Sequence, residues 1–142
     1  MSNTKIDYLA NYEEDLLINS FKELDNKQTD LIENFYYHFF KNEQIKKLFA
    51  NSNLENQYNM FFASIFSIVN HFKNHELLKN ELIRIGLSHV KYGVKIEYFT
   101  IFEESFIRGL EDTFKDRFTG DLRTVWIKAL RVIIKQVTAV MR

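Results

Sequence analysis

Apolar side chains recur at the helical interval along almost the whole chain, and no stretch of any length alternates as a β-strand would. The clearest run is Ile32, Phe35, Tyr36, Phe39 and Phe40, which follows i, i+3, i+4, i+7 and i+8 and marks one buried face. Tyr36 falls inside that stripe, whereas Tyr37 is turned about 100° away from it. A chain patterned in this way folds as packed helices.

Proline is absent, so the breaks fall at Gly, Asn, Asp and polar clusters. A first helix around Leu16, Leu17 and Phe21 ends near Asp25-Asn26, and a second runs from about Thr29 to Phe40. A short helical turn spans Gln44 to Phe49. Asn51-Ser52-Asn53 is a loop whose last residue caps the next helix, with Glu55 in its first turn. Tyr58, Phe61, Phe62, Ile65, Phe66, Val69 and Phe72 give that helix a wide buried stripe. After the polar break at Lys73-Asn74, the next stripe is Leu78, Leu82, Ile85 and His89, and Gly93 ends it. Two longer helices follow, about Ile96 to Phe114 and about Asp121 to Met141, separated by Asp116-Arg117-Phe118-Thr119-Gly120. Several of these segments are too short for the staves of a four-helix bundle.

At 142 residues and 46% hydrophobic, the chain suits one domain with a sizeable core, which 14 Phe, 7 Tyr and 1 Trp make strongly aromatic. Nineteen basic and nineteen acidic side chains cancel, so overall charge recruits neither nucleic acid nor an anionic membrane. Without cysteine there is no disulfide, thiolate nucleophile or Cys-based metal site. The N-terminus lacks the apolar run of a secretory signal, and no later run is long enough to span a bilayer. A cytoplasmic protein is expected.

His89 is the chemically informative residue. It lies on the apolar face of a predicted helix, within Ile85-Gly86-Leu87-Ser88-His89-Val90-Lys91-Tyr92-Gly93-Val94-Lys95, where an imidazole needs a partner. Such a histidine is more often a hydrogen-bonded core residue than a ligand, and haem iron is the partner that would make it one. His71 and His75 stand at i, i+4 with no third metal ligand evident, so a solvated pair is expected. Glu103 and Glu104 are adjacent on a helix and diverge, so at most one faces a pocket. Arg123, Lys128, Arg131 and Lys135 read as a solvated or docking face of the last helix. No phosphate-binding glycine loop or nucleophile elbow is present.

Phe49 in the turn after the second helix, the segment Ser88 to Lys95 and Trp126 in the last helix together resemble a bacterial single-domain globin. The likeness extends to the globin part of flavohaemoglobins and to sensor-linked bacterial globins. It implies an all-α globin fold, a three-on-three helical sandwich around a haem pocket. Residues 1–14 would then be an N-terminal extension and 15–142 the globin domain.

The resemblance implies haem b, iron protoporphyrin IX, with His89 as the proximal iron ligand. Its second ring nitrogen would be fixed by the Ile85 carbonyl or the Ser88 hydroxyl. Phe49 resembles the phenylalanine wedged against the porphyrin. Val94, Phe99 and Phe102 resemble side chains packed on the haem, and Phe61 an apolar residue over the iron, usually leucine. Tyr36 and Gln57 resemble distal groups that contact a gas ligand. Relatives often place the tyrosine fourteen residues before the phenylalanine matching Phe49, and Tyr36 stands thirteen before it. A strict count selects Phe35; the Phe35-Tyr36 pair and a turn at Lys41-Asn42-Glu43 able to absorb a deletion select Tyr36.

The function implied is reversible binding of dioxygen, or of nitric oxide or carbon monoxide. The outer atom of bound dioxygen carries negative charge that Tyr36 and Gln57 would satisfy. Alternatives are a gas-sensor module signalling to a partner, and a nitric oxide dioxygenase drawing on an external reductase. Phe99 and Leu130 stand where flavohaemoglobins have tyrosines, which weakens the enzymatic version. A monomer or homodimer is expected.

Overall fold

The computed structural model describes residues 8–142. Seven α-helices run through them: α1 (Asn11–Glu23), α2 (Gln28–Phe39), α3 (Glu43–Leu48), α4 (Leu54–Asn70), α5 (His75–Lys91), α6 (Tyr98–Phe114) and α7 (Gly120–Ala139). Short 3₁₀ turns at Asp25–Lys27 and Lys115–Arg117 precede α2 and α7, and no strand occurs among the described residues.

With no proline to set helix starts, three asparagines do so. Asn42, Asn53 and Asn74 each accept, through the side-chain oxygen, from the backbone N–H three residues on, at 3.0, 3.1 and 3.1 Å. Each satisfies a donor that the first helical turn would otherwise leave open. At α1 the cap is supplied from inside the helix, where Glu13 accepts from the Ala10 N–H at 3.0 Å.

The helices form a three-on-three sandwich, with α1, α4 and α5 in one layer and α2, α6 and α7 in the other. The most extensive crossing is α2 on α6, followed by α5 on α7 and α1 on α7. Gly109 makes the first possible, because a Cβ there would lie 3.0 Å from the Phe35 backbone nitrogen. The core between the layers is built on Leu17, Phe21, Leu31, Ile32, Leu110 and Trp126. Trp126 donates its indole N–H to Ser20 Oγ at 3.0 Å, and Ser20 donates to the Leu17 carbonyl, so the buried polar atoms are paired.

One expectation shifts. Phe66, counted in the buried stripe of α4, is 48% exposed at the rim, its edge toward Phe21. α1 begins at Asn11, Leu9 before it joins the core, and Glu13 and Glu14 are buried. Residues 1–7 of the expected extension lie outside the described residues. No helix among the described residues is long and apolar enough to cross a membrane.

A candidate cofactor site: one histidine in an aromatic cleft

Between the layers a cleft of about 570 Å3, counting its open mouth, is lined by α2, α3, α4, α5 and the start of α6. It contains every site residue expected from the sequence: Tyr36, Phe49, Gln57, Phe61, His89, Val94, Phe99 and Phe102. It adds Phe35, Phe39, Ile45, Leu48 and Tyr98, which sequence reasoning left in the core or passed over. Phe35 and Phe39 were hidden because a stripe reports burial without saying what it is buried against. Tyr98 had a signal in its place next to Phe99.

His89 sits in the last turn of α5. Its Nδ1 is 2.7 Å from the carbonyl of Ile85, one turn back. A carbonyl only accepts, so Nδ1 carries the proton; in the neutral ring Nε2 is then left with a lone pair. The chain ends α5 with Gly93 at φ +70°, a left-handed turn that glycine takes without strain, and Val94 N–H closes back on the His89 carbonyl at 3.0 Å. Phe99 packs on the imidazole with ring centroids 5.5 Å apart.

The other histidines are all committed elsewhere. His38 meets Asp112 at 2.6 Å, His71 meets Glu81 at 3.2 Å and His75 meets Glu14 at 2.9 Å, each joining two different elements. The His71 and His75 spacing is therefore not a shared metal site, and no cluster of three or more potential metal-ligating groups occurs among the described residues. Each ring is turned to its own carboxylate.

Tyr36 is 2% exposed, held face to face with Tyr58 at 4.5 Å between centroids and edge-on to Phe61 and Phe49. Gln57 Nε2 donates to the Tyr36 oxygen at 3.1 Å. That leaves the phenol proton and the second amide proton as the polar hydrogens this pair can offer. Burial pushes the Tyr36 phenol up to about 12; the Gln57 hydrogen bond pulls the other way and Tyr58 adds to the rise. Tyr36 is thus a donor at neutral pH. Phe35, the alternative on a strict residue count, packs against Phe102 and Phe106 on α6.

The residues fit an iron porphyrin in kind. Apolar walls of Phe49, Phe61, Val94, Phe99 and Phe102 suit a flat hydrophobic ring, and one imidazole offers a nitrogen lone pair. The sequence matches the Globin family over residues 32–137, and the chain belongs to that family. Its fold is similar to that of a hexacoordinated haem protein from an anhydrobiotic tardigrade, solved at pH 4, with a TM-score of 0.84 and 17% identity over 99% of both chains. No curated protein sequence matches it.

Proposed function

We propose that this globin holds haem b through His89 and binds dioxygen reversibly, with Tyr36 and Gln57 as the distal donors. The observation that carries the reading is the His89 ring, fixed by the Ile85 carbonyl so that Nε2 is its free nitrogen, in a cleft shared with the Tyr36–Gln57 pair. When bound, haem would supply an iron that His89 would hold and that could take up a diatomic gas.

The chain's own residues do the rest. The Ile85 carbonyl fixes the tautomer of His89 and makes its free nitrogen the more basic donor. Phe49, Phe61, Val94, Phe99 and Phe102 would pack on the porphyrin and keep water from it. Gln57, by donating to Tyr36, orients the phenol and polarises its proton toward the cleft. A gas whose outer atom is more negative gains more from that proton. Dioxygen therefore gains more from this pair than carbon monoxide does, by roughly 1.5–3 kcal/mol for a hydrogen bond to a charged acceptor.

The test is the visible spectrum of the haem-reconstituted ferrous protein before and after admitting air. A new spectrum that reverts when the gas is removed supports the reading. Immediate, irreversible conversion to ferric protein overturns reversible dioxygen binding, and failure to take up haem overturns the site.

A further inference from the structure

Leu82, Gly86 and His89 share one face of α5, and Gly86 is buried there. A Cβ at Gly86 would lie 2.6 Å from the Val137 carbonyl oxygen of α7 and closer still to Val140 Cγ2. The first of these atoms is backbone, so no side-chain rotation relieves the crowding. Gly86 is absent from the positive-φ residues, so it is not required for an unusual backbone angle. An interior glycine weakens a helix relative to alanine, and what it gives in return here is close approach. At Gly86, α5 rests on the last turn of α7, against the Val137 carbonyl and the Val140 side chain.

We propose that Gly86 is a positioning residue for His89: by seating α5 on the Val137–Val140 turn, it sets how far the free imidazole nitrogen reaches into the cleft. The proposal rests on His89 being the iron ligand. Ile85, adjacent to Gly86, carries the carbonyl that orients the ring, so whatever lifts this turn of α5 moves both the ligand and its anchor. Metal–nitrogen bonds are defined to a few tenths of an ångström, and outer-shell changes of this kind typically cost about tenfold in affinity.

The experiment compares haem-reconstituted wild type with Gly86→Ala, Gly86→Ala/Val140→Ala and Leu17→Ala. Leu17 is fully buried in α1, and its loss weakens the fold away from α5. Three readouts are taken: the iron–histidine stretching band by resonance Raman, the rate of haem loss to a scavenger, and, without haem, the ¹H–¹⁵N signals of the His89 ring. Gly86→Ala is expected to shift the band, speed haem loss about tenfold and displace the ring signals. Val140→Ala in that background recovers part of the change by removing the nearest atom. Leu17→Ala lowers the urea midpoint and leaves the band in place. Wild-type values in folded Gly86→Ala, or an equal band shift in Leu17→Ala, overturn the proposal. Should Gly86→Ala fail to fold, Val140→Phe crowds the same contact from α7, and an unshifted band there overturns it too. Wild type that takes up no haem fails before any substitution, and overturns the reading of His89 itself.

Discussion

At the scale of single residues the distal role proposed for Tyr36 turns on its proton. Tyr36→Phe removes it while keeping the ring in its stack with Tyr58. Dioxygen release should then accelerate by about one to two decades, and carbon monoxide release much less, as read by stopped-flow displacement. Equal acceleration of both gases would show that the change opened the cleft instead of deleting a donor. The same proton predicts a pH dependence of stability. An unfolded tyrosine ionises at its ordinary 10.0 and the folded Tyr36 at about 12. Between those values the native state holds a proton that the unfolded state has lost, so stability falls as pH rises through the window, by at most about 2–3 kcal/mol. Tyr8 and Tyr58, both raised chiefly by burial, contribute in the same direction. Urea midpoints measured from pH 8 to 12 should therefore show Tyr36→Phe flattening the alkaline limb without abolishing it. A slope identical to wild type would mean that burial does not hold the phenol protonated.

At the scale of elements, stability depends on caps and on one close crossing. Asn74→Ala removes the acceptor at the start of α5 and should cost about 1 kcal/mol in urea unfolding. Gly109→Ala pushes α6 from the Phe35 backbone and should cost about 1–3 kcal/mol. Indifference to Gly109→Ala would mean that α2 and α6 have slack where their backbones meet. The helices themselves were legible in the sequence because their stripes keep the 3.6-residue period from Ile32 to Phe40 and from Leu78 to His89. Asn53 was legible as a cap because a polar loop isolates it, whereas Asn42 and Asn74 sit among charged or polar neighbours that read only as breaks. Phe66 was misplaced because its spacing matches the stripe of α4, although its ring meets only Phe21 and Phe62 among the described aromatic rings and is 48% exposed. Tyr36 against Phe35 could be argued from the stripe; both line the cleft, where Tyr36 accepts from Gln57 and Phe35 packs against Phe102 of α6.

At the scale of the whole molecule, the four histidines divide by what answers them. Three brace the fold against carboxylates on other elements, and His89 meets only a carbonyl of its own helix. Removing a bracing histidine should lower stability to the same extent with or without haem, since each joins elements in either state. Removing His89 should do the opposite. A ligand that binds only the folded state adds stability as RT ln(1 + [L]/Kd), about 2.7 kcal/mol at a hundredfold excess over Kd. His89→Ala should therefore unfold close to the wild-type temperature when haem-free, yet lose most of the rise in Tm that equimolar haem gives the wild type. His75→Ala should start lower and keep that rise. Differential scanning calorimetry of the three proteins with and without haem decides the matter. If His89→Ala gains as much from haem as wild type does, the apolar walls alone hold the group and the free nitrogen of His89 is not its anchor.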